Sequence, residues 1–279
     1  MKSACGRRMQ IVFVVVVLAV ITGAFSAPAS AQLYDHKWSL KLGGEIATFS
    51  STAQLDSQET GIGTKIDLEK DLGLDTRKNN FRFDGTYRFS RRSQVELAYS
   101  QRVRSNRHEL DRDIEWGGVT YHAAALVKTR FTTNLLRGAW KYSVIDGDAV
   151  EGGFSLGVST FWLSSRISGQ GEVAGNTLQY HSRDKNVVAP IPVAGLFLDW
   201  AFTRQAVLRL SGDYFDASYN DRAGTLTDAT AAIDVTPWPN VGLGLAYNWS
   251  SLEIFSDKRA AFKVDLTTEA LFGYVRVVF

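Results

Sequence analysis

The 279-residue chain carries 31 Lys and Arg against 29 Asp and Glu, a formal net charge of +2, with 45% hydrophobic residues and one cysteine, Cys5. Near-neutrality gives no electrostatic case for nucleic acid as a partner. A single cysteine excludes an internal disulfide, so packing, backbone pairing or a membrane must hold the fold. A hydrophobic share of this size fits a globular protein as well as a barrel whose alternation hides its lipid-facing half.

Lys2, Arg7 and Arg8 form a basic start, residues 11–25 are a continuous apolar run, and Ala29-Ser30-Ala31 is a small-residue cleavage site. A spanning helix needs about 20 apolar residues, so the run is read as a secretory signal peptide over residues 1–31, cut between Ala31 and Gln32. Cys5 falls in the basic start and not at the cleavage site, so it does not become a lipid-bearing N-terminus. Residues 32–279 are then one domain without cysteine. Removing the leader's three basic residues takes the formal charge from +2 to −1. The longest later apolar run, residues 187–198, is broken by Pro190 and Pro192, which excludes a helical membrane protein.

From residue 37 onward the pattern has period two, the signature of two-faced strands. Trp38, Leu40, Leu42, Gly44 and Ile46 oppose Ser39, Lys41, Gly43 and Glu45; Phe81, Phe83, Gly85, Tyr87 and Phe89 oppose Arg82, Asp84, Thr86 and Arg88. Further outward rows are Val95, Leu97 and Tyr99; Leu136, Trp140, Tyr142 and Val144; Phe154, Leu156, Val158 and Trp162; and Leu196, Leu198, Trp200 and Phe202. Then come Leu208, Leu210 and Tyr214; Ala229, Ala231, Ile233 and Val235; and Val241, Leu243, Leu245, Tyr247 and Trp249. The last residues place Leu271, Gly273, Val275, Val277 and the terminal Phe279 on one apolar face. This predicts an all-β, up-and-down antiparallel transmembrane barrel of about ten strands, with eight or twelve if a hairpin is merged or missed.

Short links at residues 90–93, 145–148, 203–205 and 237–240 carry the Gly, Pro, Asp and Asn of tight turns. They alternate with longer connections near residues 51–78, 105–119, 165–189 and 250–261, with one short exception at residues 219–223. Short turns face the periplasm in such barrels, so both termini are expected there. Trp38, Trp140, Tyr142, Trp200, Phe202, Trp238 and Phe279 fall near the turn end, and Phe81, Trp162, Tyr214, Tyr247 and Trp249 near the other, as two membrane interfaces require. A soluble β-sandwich would bury its apolar faces and have no use for two aromatic levels.

The closing segment resembles the last strand of Gram-negative outer-membrane β-barrel proteins, which end in Phe in the same way. The resemblance implies a bacterial outer-membrane location, a role for Phe279 as an assembly signal read by the barrel-assembly machinery, and outer-membrane lipids and lipopolysaccharide as partners. Residues 66–75, acidic and apolar, resemble a segment after the first strand of many such barrels. Neither resemblance specifies an activity.

The faces opposite the lipid rows carry Lys41, Glu45, Arg82, Asp84, Arg88, Glu96, Arg102, Arg137, Lys141, Asp199, Arg209, Asp213, Asp234 and Arg276. In a barrel this narrow, such charges must pair with one another or with water. They read as an ion-pair network filling the lumen or, alternatively, as the wall of a narrow conduit for a small solute. Gly153, Ser155, Gly157 and Ser159, with Gly242, Gly244 and Ala246, leave space that Arg82, Arg137 or Arg209 fill, or that a ligand occupies. Pro190 and Pro192 must interrupt a ladder; the strand ends there, or the wall is weakened as in barrels that pass hydrophobic molecules sideways into lipid.

No catalytic set or cofactor emerges. His181 and Ser182 are adjacent and point oppositely on an extended chain, unlike the lipid A deacylase barrels, where the two are separated by one residue. His108 with Asp111 and Asp113 resembles, at loose spacing, the acid and His sets of omptin-type barrel proteases. His36 precedes the first strand and His122 lies near the rim of the fourth. Asp67, Glu69, Asp71 and Asp75 could ligate calcium but lack the Gly-centred spacing of a calcium loop, so a solvated or lid-forming loop is preferred. The favoured function is a structural barrel or narrow channel without catalysis; a loop-based receptor or adhesin and a membrane-embedded hydrolase are the alternatives.

Overall fold

The computed structural model describes residues 36–56, 63–116, 119–173, 176–219, 222–256 and 262–279, with residues 170–184, 219 and 222 described by their backbone only. The cleavage site at Ala31 and Gln32 lies outside these residues, as do the side chains of His181 and Ser182. The strands are β1 (Trp38–Leu55), β2 (Ile66–Asp67), β3 (Arg77–Ser90), β4 (Ser93–Glu109), β5 (Ile114–Trp116), β6 (Val119–Tyr121), β7 (Leu126–Asp146), β8 (Val150–Val173), β9 (Asn176–Ala201), β10 (Ala206–Tyr219), β11 (Arg222–Val235), β12 (Val241–Ser256) and β13 (Phe262–Val278).

Ten of these, all but β2, β5 and β6, form an antiparallel wall in chain order. The wall closes where β1 pairs with both β3 and β13, from Ser39↔Val278 to Leu55↔Phe262 on the closing side. Closure removes the free edges that lipid could not satisfy. The lipid rows lie outside: Leu97, Leu156 and Leu243 are 46%, 50% and 51% exposed, whereas Ser155, next to Leu156, is 2% exposed. At the turn end Trp38 packs on Tyr87 and stacks near Phe279, and Trp140, Tyr142 and Phe154 form a second ring cluster. Trp38 and Phe279 also exchange backbone hydrogen bonds of 2.8 and 3.1 Å, which fastens the chain's last residue to its first strand.

Toward the loop end the polarity inverts. Phe262, Val264 and Leu266 of β13 are buried inside, while Lys263 and Glu269 are exposed outside. Phe161, Leu163 and Ile167 of β8 likewise point in, against exposed Ser164 and Arg166. This is the pattern of a water-soluble β-barrel on top of a membrane one. It explains why the described parts of the segments expected as loops at 105–119, 165–189 and 250–261 are largely strand: the outward apolar row stops at the bilayer and the strands continue. A spanning strand needs about 9–11 residues, whereas β8 and β9 have 24 and 26.

Two connections close this upper tier. β2 pairs with β1 at Thr52↔Asp67 and Ala53↔Ile66, beyond the point where β3 leaves β1, and brings Ile66, Leu68, Leu72 and Leu74 into the core. The β5–β6 hairpin adds Ile114, Trp116, Val119 and Tyr121. The two are tied by Thr64 N donating to Glu115 O, by Glu115 N donating to Thr64 Oγ1, and by the Arg112–Asp71 ion pair. Gly73, at φ +62°, makes the turn in the first, where a side chain would run into Asn106 and His108.

Pro190 and Pro192 lie within β9, not at its end, correcting the expectation of a strand finishing there. The β8 ladder runs through both, at Thr160↔Pro190 and Val158↔Pro192. The β10 ladder stops at Ala194↔Tyr214. Prolines two apart lack donors on the same side, so the missing N–H groups face the seam where β10 no longer pairs. Buried Ile191 and Val193, with Phe215 packed on the same core, close that seam from within.

Candidate functional site in the barrel lumen

Inside the turn-end half, alternation aims polar side chains inward from every element of the wall, and register brings opposite charges together. Glu45 takes a bidentate pair of bonds from Arg102, Nε at 2.9 Å and Nη2 at 3.2 Å, and lies 3.7 Å from Arg82, which is bonded to Asp84 at 2.9 and 3.1 Å. Arg88 grips Glu151 at 2.9 and 2.8 Å, and Ser143 donates to the same carboxylate. Arg137 spans Glu96 at 2.5 Å and Asp213 at 2.6 Å; Lys141 adds a second bond to Glu96 and Ser155 one to Asp213.

The remaining group centres on Asp234. It receives Arg209 Nε at 2.6 Å and the Tyr274 hydroxyl at 2.5 Å, while Arg209 also pairs with Asp199. Lys41 and Arg276 approach Asp234 only to 3.8 and 3.7 Å. All fourteen sequence-selected charges therefore reach the lumen. Between them lies a cavity of about 130 Å³ on the turn-end side, with His36 and Lys37 among its lining residues. Buried pairs of this kind add little net stability over apolar packing, but removing one partner leaves a costly buried charge.

Of the small residues, Gly244 has its space occupied, though not by arginine, and Gly153, Gly157 and Gly242 abut the backbone of the neighbouring strand. Tyr274 fills the room above Gly244, and Asp213 that above Gly195, where added side chains would collide with them. Besides Lys37 at the cavity mouth, Glu151, Arg104, Glu69 and Asp228 are inward charged groups outside the fourteen. Glu151 shares the inward parity of Gly153 and Ser155, and Arg104 that of Arg102, so both were open to the sequence reading. Glu69 reaches Arg104, Ser51 N and Ser51 Oγ from a connection whose inward fold has no periodic signal. Asp228 had been assigned to no face; it is held by Asn248 Nδ2 at 3.0 Å to both oxygens, with no direct cation among the described residues.

The candidates for other chemistry are dispersed. His108 lies beside Gly73 under the cap, and Asp113 pairs at 3.1 Å with His122 at the exposed loop end, so His108, Asp111 and Asp113 do not form one set. Asp113 is held below the usual carboxylate range by the Ala123 N–H and then by His122. The proposed calcium ligands are spent elsewhere: Asp67 accepts from Glu69 N and Lys70 N, Asp71 from Asp67 N and Arg112, and Glu69 from Arg104 and Ser51. They build a lid.

A closed ten-stranded wall with an outward apolar band and two aromatic levels is one solution to crossing a membrane with strands. The chain has the fold of the outer-membrane β-barrel proteins. The solved outer-membrane protease OmpT from Escherichia coli aligns over 86% of this chain and 97% of its own, with a TM-score of 0.52 at 9% identity. The translocator domain of autotransporter NalP from Neisseria meningitidis aligns over 99% and 96% (TM-score 0.40, 13% identity), and the outer membrane protein OprG from Pseudomonas aeruginosa over 90% and 99% (TM-score 0.36, 13% identity). No family model and no curated protein matches the sequence. Within this fold, the chain divides its interior between a charged tier and an apolar one.

Proposed function

We propose that the protein is a non-conducting outer-membrane barrel, a rigid structural platform without catalytic role, with its short turns and both termini in the periplasm. The observation that carries this reading is the packed apolar tier. Phe49, Phe131, Phe161, Leu163, Leu252 and Leu266 meet across the lumen beneath a cap of Leu68, Leu72, Leu74 and Trp116, each at most 5% exposed. The space left at the tier's lower edge is a cavity of about 40 Å³ between Arg137, Asp228, Phe161, Leu252 and Leu266, enough for a few waters and not for a hydrated file of solute. The charged tier below it then works as a basin open on one side, not as a conduit. In this reading outer-membrane lipids and lipopolysaccharide surround the apolar band, and Phe279 serves as a carboxyl-terminal assembly signal.

The test is conductance of the purified, folded protein in planar bilayers. The expected result is no stable current step; reproducible single-channel steps would overturn the sealed reading in favour of a narrow channel. A second reading, a receptor or adhesin, is favoured by the wall that continues beyond the lipid band, since rigid scaffolds that display connections are where binding resides. Its test is binding of cells bearing the protein to host matrix or other cells, compared with cells bearing a form trimmed at the β8–β9 tip.

A further inference from the structure

We propose that the lumen cavity holds a small oxyanion of the phosphate class between Lys41 and Arg276. The charged tier, counted with Glu151 and Asp228, contains eight Lys and Arg side chains and eight carboxylates, yet the balance fails locally. Asp228 lies six residues along β11 from Asp234, about 20 Å at the usual rise per strand residue. It is therefore too far to neutralise the group around Asp234. There, three cations, Lys41, Arg209 and Arg276, share Asp199 and Asp234, and the next carboxylate, Asp84 opposite Lys41 on β3, is already bonded twice by Arg82.

Hydrogen-bond accounting identifies which cations are incomplete. Arg209 has two close carboxylate partners, with Nε on Asp234 and Nη1 on Asp199. The Tyr274 hydroxyl already donates to Asp234, so that carboxylate has its close partners. Arg276 commits Nε to Ser39 Oγ at 2.9 Å, but its Nη1 stops 3.7 Å from Asp234, beyond hydrogen-bond reach. Lys41 has three protons and finds only the Tyr274 oxygen, at 3.5 Å, with Asp234 at 3.8 Å. Their side chains are 15% and 17% exposed, largely withdrawn from water.

Two underused donors from adjacent strands, in register at Lys41↔Arg276, thus line a cavity of about 130 Å³ together with Ser39 and Lys37. An anion there would complete both donor sets, and charge-assisted bonds to an oxyanion are stronger than those to water. The cavity lining carries both signs but more cations than carboxylates, eight Lys and Arg side chains against Asp84, Glu96, Asp199, Asp213 and Asp228, and such an excess also concentrates a counter-ion. The wall and the apolar tier separate the cavity from the lipid rows, so the ligand is a dissolved anion and not a lipid headgroup. This site goes beyond the platform reading and does not need it: a leaking barrel could bind phosphate, and a sealed one could fail to.

The experiment is titration of the detergent-folded full-length mature protein with inorganic phosphate by calorimetry, with sulfate, acetate and short-chain phosphatidylglycerol as parallel arms. Saturable binding of phosphate, weakened about tenfold or more in Arg276→Gln and in Lys41→Gln but unchanged in the outer-tier control Lys185→Gln, is the expected result. Retention of the folded electrophoretic form checks each variant, and line broadening of phosphate by ³¹P resonance on the parent protein gives a readout that needs no variant. Absence of saturable binding at millimolar phosphate, or binding that both inner substitutions leave intact, overturns the site. Preference for the phospholipid over free phosphate overturns the assignment of a dissolved anion.

Discussion

At the scale of single residues, one step along a strand exchanges lipid for lumen. Leu156 meets the bilayer, and Ser155 beside it donates to a buried carboxylate. The consequence is measurable. Arginine at Leu97, Leu156 or Leu243 should cost about 2–4 kcal/mol if placed near the midplane, because lipid offers the charge no partner. A lysine at Ser211, on the cavity wall near Asp199 and Asp213, should cost much less. Equilibrium unfolding in urea compares the two sets, and equal losses would mean that the faces are misassigned. Glycine positions are not equivalent substitutes for this control: Gly244 points inward, but the Tyr274 ring already occupies the space a larger side chain would need.

At the scale of elements, the cap behaves as a folded unit held by carboxylates. Burial alone would raise the Asp71 pKa, but the Arg112 bond, the Asp67 N–H and the nearby charges of Arg112 and Lys70 bring it below its ordinary value of 3.8. A carboxylate depressed in the folded state contributes its full share of stability above its unfolded value, and the contribution is lost as pH falls through the folded value. The cap should therefore keep its protection from hydrogen exchange at neutral pH and lose it below about pH 3.8, ahead of the wall; Asp71→Asn should show weaker protection already at pH 7. Protection of residues 63–76 that stays level down to pH 2 would contradict this. None of these contacts was legible beforehand. Residues 66–75 display acids and leucines without the period of a strand or helix, and only the fold shows that the leucines enter the lumen while Glu69 meets Arg104.

At the scale of the whole molecule, the membrane half was legible because lipid imposes a strict rule on alternate residues. The outward rows from Trp38 to Phe279 located ten strands and the four tight turns, and parity alone selected the fourteen lumen charges. Partners were not legible, since pairing Arg88 with Glu151 or Arg137 with Asp213 requires the register of strands distant in sequence. The upper tier was hidden by the inversion of polarity: Lys128 and Arg130 outside with Val127 and Phe131 inside look like a loop to a reader following an outward apolar row. That inversion also decides what seals the barrel. If the cap were the only plug, replacing residues 64–75 by a Gly-Ser linker would open a pore. Phe49, Phe131, Phe161, Leu252 and Leu266 come from the wall itself, however, and remain after that replacement. The protein without residues 64–75 should lose stability, since each fully buried leucine contributes about 1.5–3 kcal/mol, yet still pass no ions. Planar-bilayer recordings on this variant, beside a thermal melt, check both halves of the expectation; discrete current steps from the folded variant would show that the wall and the remaining β5–β6 hairpin do not close the lumen.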